Sequence, residues 1–213
     1  MKALVICHDY WHSGDIVEKG LSFLQRNHEW ELTVLKGMEN IDLQTVNFSD
    51  YQGIFVCKDN RNSPEDEGQW LDDLIAKKFV SYVNEGGCLM VLHAGCVACK
   101  SSPIFKDLVG CEFIAHPDQC AVDYLPVTNE TITEGVSAFT VHDEHYEIAI
   151  HATDIHLFLN GQSVHFTQPA GYWREVGHGK VIVMTPGHNL PVWENKTYQK
   201  LIVNALDFGR KGD

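Results

Sequence analysis

The first half of the chain alternates short apolar runs with longer stretches that carry one apolar face. Lys2 to Cys7 is an apolar run of β type, and over Asp15 to Asn27 the residues Ile16, Leu21, Phe23 and Leu24 recur at helical spacing. This predicts strand, loop, helix. Trp30 to Leu35 alternates as a second strand, and Gly53 to Cys57 is continuously apolar, the mark of a strand buried on both faces. Glu39 to Tyr51, between them, reads as a loop with one helical turn. A long helix is predicted from Ser63 as N-cap and Pro64 as first residue, with Glu65, Asp66 and Glu67 in its first turn and Gly86-Gly87 stopping it past Asn84. Its apolar face runs through Trp70, Leu71, Leu74, Ile75, Phe79, Val80 and Val83. Cys88 to Leu92 is a fourth buried strand, ending at His93-Ala94-Gly95.

Strands alternating with helices imply an α/β fold with a mainly parallel sheet and right-handed crossovers. Past Gly110 the segments shorten: Glu112 to Ile114, Ala121 to Val127, Glu144 to Ile150 and His156 to Leu159 predict extra antiparallel or edge strands. Gln168 to Val176 and Lys180 to Thr185 form a last strand pair about Gly177-His178-Gly179, and Lys196 to Phe208 is a closing helix. No Gly/Ser/Pro-rich linker interrupts the chain, so residues 1–213 are expected to form one domain.

Composition narrows the function. With 16 Lys+Arg against 29 Asp+Glu the net charge is -13 and no basic cluster occurs, which argues against nucleic acid or an anionic membrane as partner. The apolar run at the N-terminus is too short for an export signal, and no stretch approaches the ~20 apolar residues of a membrane helix. A cytoplasmic protein with reduced thiols is expected. Its seven cysteines include Cys96-Val-Ala-Cys99, which lacks the second pair a zinc site needs and reads as loop cysteines near a site. Neither a P-loop nor G-x-G-x-x-G is present, so no nucleotide cofactor is expected, and H-E-x-x-H is missing too.

Twelve histidines are the unusual feature. Ligands of open α/β sheets bind beyond the carboxyl ends of the strands, and His8, His93 and His188 fall at such ends. His116 and His142-Asp143-Glu144-His145 lie in the middle of the chain, while His28, His151, His156, His165 and His178 fit ordinary structural or surface positions. Imidazoles converging with carboxylates make either a metal site or an acid/base site. Gly86 to Gly95 has the form of a strand leading into a nucleophile-elbow turn, but the projecting residue is His93 and not Ser or Cys, which suits a ligand or general base.

His8-Asp9-Tyr10-Trp11-His12, the elbow at His93-Ala94, Cys111-Glu112-Phe113 with His116-Pro117, His142 to Tyr146, Gly179-Lys180-Val181, and Pro186-Gly187-His188 with Val192-Trp193 together resemble the ThuA-like trehalose-utilisation family over essentially the whole chain. The resemblance implies a fold similar to class I glutamine amidotransferases, a flavodoxin-like three-layer sandwich, and a role in the catabolism of disaccharides and related sugars. The amidotransferase Cys triad is not implied, because His93 stands at the elbow. What is implied is a pocket lined by His93, His116, His188, Asp143 and Glu144, with His8 and Asp9 on the opposite wall. Trp11, Tyr146, Trp173 and Trp193 are candidate sugar-stacking rings. Arg174 and Glu175 either add a polar wall or form an exposed hairpin pair.

The expected function is therefore a carbohydrate-processing enzyme of hydrolase, lyase or isomerase type, acting on a disaccharide, keto-sugar or related small carbohydrate. His93, Asp143, Glu144 and His188 are its expected catalytic residues, and His8, Asp9, Trp11, Tyr146 and Trp193 its substrate contacts. A divalent metal on His93, His116 and His188 would polarise a ligand oxygen; zinc suits imidazoles best, and manganese is the second choice. Two alternatives stand beside it: a metal-free His/carboxylate acid–base enzyme, and a non-catalytic sugar-binding or regulatory module. A homodimer that covers the sheet edges is also expected.

Overall fold

The computed structural model describes residues 1–37, 42–61, 63–66, 70–127 and 130–210. In chain order, β1 (Lys2–Cys7) leads to α1 (Gly14–His28) and β2 (Glu31–Lys36), and β3 (Gly53–Cys57) leads to α2 (Asp73–Asn84) and β4 (Cys88–Leu92). The short helices α3 (Ala94–Ala98) and α4 (Pro103–Val109) follow. Next come β5 (Cys111–Ala115), β6 (Cys120–Pro126), β7 (Phe139–Asp143), β8 (Glu147–Ile150), β9 (His156–Gln162), β10 (Thr167–Val176) and β11 (Gly179–Met184). Helices α5 (Leu190–Glu194) and α6 (Lys196–Gly209) complete the fold.

Nine strands share one sheet in the order β2-β1-β3-β4-β11-β10-β9-β6-β7, and β5 pairs with β8 apart from it. The sheet is parallel from β2 to β11 and antiparallel beyond. Successive strand residues point to opposite faces. Val5, Phe55, Met90 and Ile182 thus pack with α1, α5 and α6, whereas Ile6, Val56, Val91 and Val183 pack with α2, α3 and α4. The result is the three-layer α/β sandwich that the continuous apolar runs required, since each central strand must satisfy two apolar layers.

The long helix differs from expectation. It begins at Asp73, capped by the Asp72 carboxylate, which accepts from the Ile75 amide at 2.8 Å. Ser63 instead closes a local turn with Asp66, its hydroxyl accepting from the Glu65 and Asp66 amides. Trp70 and Leu71 are buried and tied to the loop after β3, Trp70 Nε1 donating to the Asp59 carbonyl and the Leu71 amide to Asn60 Oδ1. Those contacts pull the segment away from a helical path; Leu74, expected on the buried face, is 64% exposed. Glu67 and residues 39–41 of the predicted loop lie outside the described residues. Cys96 and Cys99 are core residues of α3 and the turn after it, not loop thiols. No helix of the described residues is long and apolar enough to cross a membrane.

Candidate metal centre

The parallel strands β1, β3, β4 and β11 end on one rim of the sheet, and the residues following them carry His12, Asp59, His93 and His188. His93 occupies the turn from β4 into α3 with φ 44° and ψ -105°. This is a conformation an L-residue adopts at a cost of about 1–3 kcal/mol. Two bonds to the end of β11 and the residue after it hold it, the backbone amide donating to the Met184 carbonyl at 2.9 Å and Nδ1 to the Thr185 carbonyl at 2.8 Å. Gly95 makes the turn possible, because a Cβ there would lie 2.2 Å from the Val56 carbonyl oxygen.

Two buried carboxylates position the other histidines. Asp9 accepts from the Trp11, His12 and Asp59 amides at 2.8, 2.9 and 2.8 Å, and its Oδ1 lies 2.8 Å from His12 Nδ1. A carboxylate can only accept here, so Nδ1 of His12 donates to it and Nε2 is the ring atom turned toward the cluster. Burial works to raise the Asp9 carboxyl, but the bonds from His12 and the amides outweigh it and hold the group below its usual range. Asp143, at the end of β7, accepts from the Gly187 and His188 amides at 2.9 and 3.0 Å and so fixes the loop after β11. Its carboxyl is pushed up by burial.

Glu144, next in the chain, is the meeting point. Its Oε2 lies 3.1 Å from His188 Nδ1, 3.4 Å from His93 Nε2 and 3.7 Å from His116 Nε2. Burial opposes its charge, yet the His188 and His93 rings hold the carboxyl well below the usual range. Burial drives His93 down and Glu144 draws His188 up. Nδ1 of His93 donates to the Thr185 carbonyl, so Nε2 is the ring atom that faces the carboxylate oxygen. Neither His93 Nε2 nor His188 Nδ1, both buried, has a partner with hydrogen-bond geometry. Buried imidazole nitrogens without a hydrogen-bond partner, gathered about one carboxylate oxygen, make a group that a cation could join.

The donor set fits one. His12, His93, Glu144 and His188 each offer a ligand atom, all within 4.8 Å of one another. Tetrahedral ligands about 2.0–2.1 Å from zinc stand about 3.4 Å apart, close to the 3.1 and 3.4 Å separations from Glu144. Asp9 behind His12 and the Thr185 carbonyl behind His93 are the outer partners that orient metal-binding imidazoles. His116 belongs outside this set: it is over a third exposed, and its Nδ1 donates to the Pro117 carbonyl.

A cavity of about 200 Å³ opens over the cluster, bounded by Trp11, Arg61, Phe113, His116 and Tyr146 among others. Tyr146 stacks between His93 (4.1 Å, 25°) and His116 (5.6 Å, 21°), and its hydroxyl reaches His12 Nε2 at 3.3 Å. Gln168 Nε2 donates to the Tyr146 carbonyl and helps fix it. The Arg61 guanidinium, paired with Asp59 at 3.0 Å, lies 4.5 Å over the Trp11 ring. Larger depressions of about 450 and 630 Å³ lie elsewhere, but among the described residues the histidine–glutamate group is the one cluster able to hold a metal.

Of the residues singled out in the sequence, His116, Glu144, His188, Trp11 and Tyr146 line this cavity, and His93 is buried beside Glu144. Asp9 and Asp143 sit behind it, buried, with oxygens that accept from backbone amides. His8 turns its ring away, Nδ1 accepting from the Gly14 amide at the start of α1. Trp193 is fully buried, its ring against Gly20 and its Nε1 donating to the Gly187 carbonyl at 2.7 Å, so it offers a ligand no face. Trp173 stacks on His156, Arg174 binds Asp154 and the Asp107 carbonyl, and His142 is exposed. His12 was missed. The signal for it was Asp9-x-x-His12, the spacing at which an aspartate closes a turn onto the third residue after it.

The family model described as ThuA, trehalose utilisation, matches residues 2–208. No curated protein sequence matches. Among solved structures, a ThuA-like protein from Parabacteroides merdae ATCC 43184 is similar with a TM-score of 0.82 at 14% identity, over 100% of this chain and 91% of that one. The Cytoplasmic Protein STM1381 from Salmonella typhimurium LT2 gives 0.68 at 14% identity, over 99% and 100%. A cold-adapted β-galactosidase from Rahnella sp. R3 gives 0.69 at 10% identity, over 98% of this chain but 31% of that one. At such identities the likeness is one of fold.

Proposed function

This chain belongs to the ThuA family, and on that premise we propose that it is a carbohydrate-processing enzyme with a divalent metal held by His12, His93, Glu144 and His188. The observation that carries the proposal is the convergence of His93 Nε2 and His188 Nδ1, unpartnered and buried, on one oxygen of Glu144. Three imidazoles with one carboxylate favour zinc on ligand type, with manganese second. When bound, the ion supplies a Lewis acid that polarises a carbonyl or hydroxyl oxygen and stabilises negative charge developing there.

The chain's own groups do the rest. Asp9 and Asp143 hold His12 and the His188 loop in place, and the elbow fixes His93 before any ligand arrives, which is preorganisation. At the rim, Trp11 with Arg61 and His116 offer stacking faces and hydrogen-bond donors suited to a polar ring. Phe113 and Tyr146 supply apolar wall that limits water. A small polar carbohydrate or keto-sugar fits a cavity below the roughly 300–1,000 Å³ usual for drug-sized ligands. A cytoplasmic site of action is part of the same proposal.

Elemental analysis of protein purified without added metal is the test. About one equivalent of zinc or manganese is expected in the wild type and little in the His93→Ala/His188→Ala double variant; negligible metal in both refutes the metal centre. A second reading rests on the 3.1 Å separation of His188 and Glu144, which once aligned by a ligand would serve as an acid–base pair without a metal. Sugar turnover that survives exhaustive chelation would select it.

A further inference from the structure

We propose that Arg61 is the residue that selects the substrate, and that the carbohydrate bound in this cavity carries a carboxylate which the guanidinium grips. The inference deepens the carbohydrate reading above, on which it rests, and does not need the metal. Arg61 is the one lysine or arginine among the described residues that line the cavity. It is pinned on two sides. Nε and Nη2 lie 3.1 and 3.0 Å from Oδ2 of Asp59, and the guanidinium carbon lies 4.5 Å over the Trp11 ring. Both pins are rooted in buried structure: the Asp59 side chain is 2% exposed, its amide donates to Asp9, and Asp9 also accepts from the Trp11 amide.

A guanidinium has five N–H groups, and Asp59 takes the edge made by Nε and Nη2. The end made by Nη1 and Nη2 is the second edge, which matches a planar carboxylate through two parallel bonds. With its side chain 43% exposed, Arg61 is oriented by its partners and still open to a ligand. Holding a long side chain in place beforehand removes the ordering cost of an unpinned arginine. The chain as a whole, at -13, repels anions, so an anion is taken up here only where a cation is fixed at the spot. The other charged residues of the cavity wall do not stand free against a ligand carboxylate, since Asp59 is paired with Arg61 and Glu144 faces His93, His116 and His188. A neutral sugar could accept from the same N–H groups, but bonds between two charged groups are roughly twice as strong.

Calorimetry with matched probes is the test: glucuronate against glucose and galacturonate against galactose, each pair differing by a carboxylate in place of a hydroxymethyl group. The wild type is expected to bind the uronate of at least one pair roughly five- to thirtyfold more tightly than its neutral partner. Arg61→Gln should bring that ratio to about one, whereas a merely structural arginine would weaken both members together and leave the ratio where it was. A preference that survives in the variant overturns the inference, and so do neutral sugars bound as tightly as uronates by the wild type. Glucose 6-phosphate bound more tightly than either uronate also overturns it, because the anion would then be a phosphate. Wild-type protein that binds neither acid nor neutral sugar sinks the carbohydrate reading and this inference together, while equal binding within every pair sinks the role of Arg61 alone. Zinc content measured on the same samples reports on the metal centre separately.

Discussion

Replacing Asp9 by asparagine tests whether that carboxylate is a prop or a ligand contact. Asp9 is 3% exposed and receives three backbone amides as well as His12 Nδ1. An amide has one accepting atom. Keeping oxygen at the Oδ1 position preserves the bonds from Trp11 and His12 but sets an NH₂ against the Asp59 amide, 2.8 Å away, donor facing donor. The opposite orientation loses the Oδ1 bonds from Trp11 and His12. One buried donor goes unsatisfied in the better case, at about 1–3 kcal/mol of stability. His12 also loses the anion that fixes its tautomer, and outer-partner losses of this kind weaken metal binding about 10–100-fold. Chelator competition for zinc and chemical denaturation read the two effects separately. Zinc affinity within twofold of wild type, accompanied by weakened sugar binding, would refute the prop and restore Asp9 to the cavity wall.

Other outcomes follow from the same contacts. His116→Ala should keep the wild-type metal stoichiometry, since the side chain stands outside the four-ligand set, while weakening sugar binding at the rim; elemental analysis with calorimetry separates the two. Trp193→Phe removes the donor to the Gly187 carbonyl and leaves a void beside Gly20, which should lower stability by about 2–4 kcal/mol without changing the sugar affinity of the protein that remains folded. His145 is buried with its Nε2 unpartnered and its pKa pushed down to about 4 by burial, helped by the nearby His165. The unfolded chain, with an ordinary histidine near 6.5, binds more protons between those values, so stability should fall as pH drops from about 6.5 to 4, by no more than about 3 kcal/mol. Denaturant midpoints for His145→Gln across that window should show a shallower slope; an unchanged slope would remove His145 as the cause.

Much of the architecture is legible in the chain because burial dictates residue type directly. A strand between two helical layers must be apolar along its buried length, and β1 past Lys2, β3, β4 and β11 past Lys180 are written that way; the helical faces of α1 and α6 follow from their 3.6-residue spacing. Short pieces are less visible. The five-residue α3 has small residues throughout and no periodic face, and the start of α2 was set by the docking of Trp70 and Leu71 on the loop after β3 and not by the capping signal at Ser63.

At the site, position in the chain located His93 and His188, since parallel strands bring their carboxyl ends to one rim wherever they lie in sequence. It could not say which neighbours share a metal and which stand behind it. Asp9 and Asp143 look the same as Glu144 in sequence; only the folded chain gives them their amide donors and leaves one oxygen of Glu144 facing imidazole nitrogens. The sequence by itself determined the layers and the rim, because both depend on hydrophobic pattern and strand direction. The tertiary structure decided the ligand set, because a lone pair's direction depends on which hydrogen bond its ring makes on the other side, and that partner comes from a distant segment, as Thr185 does for His93.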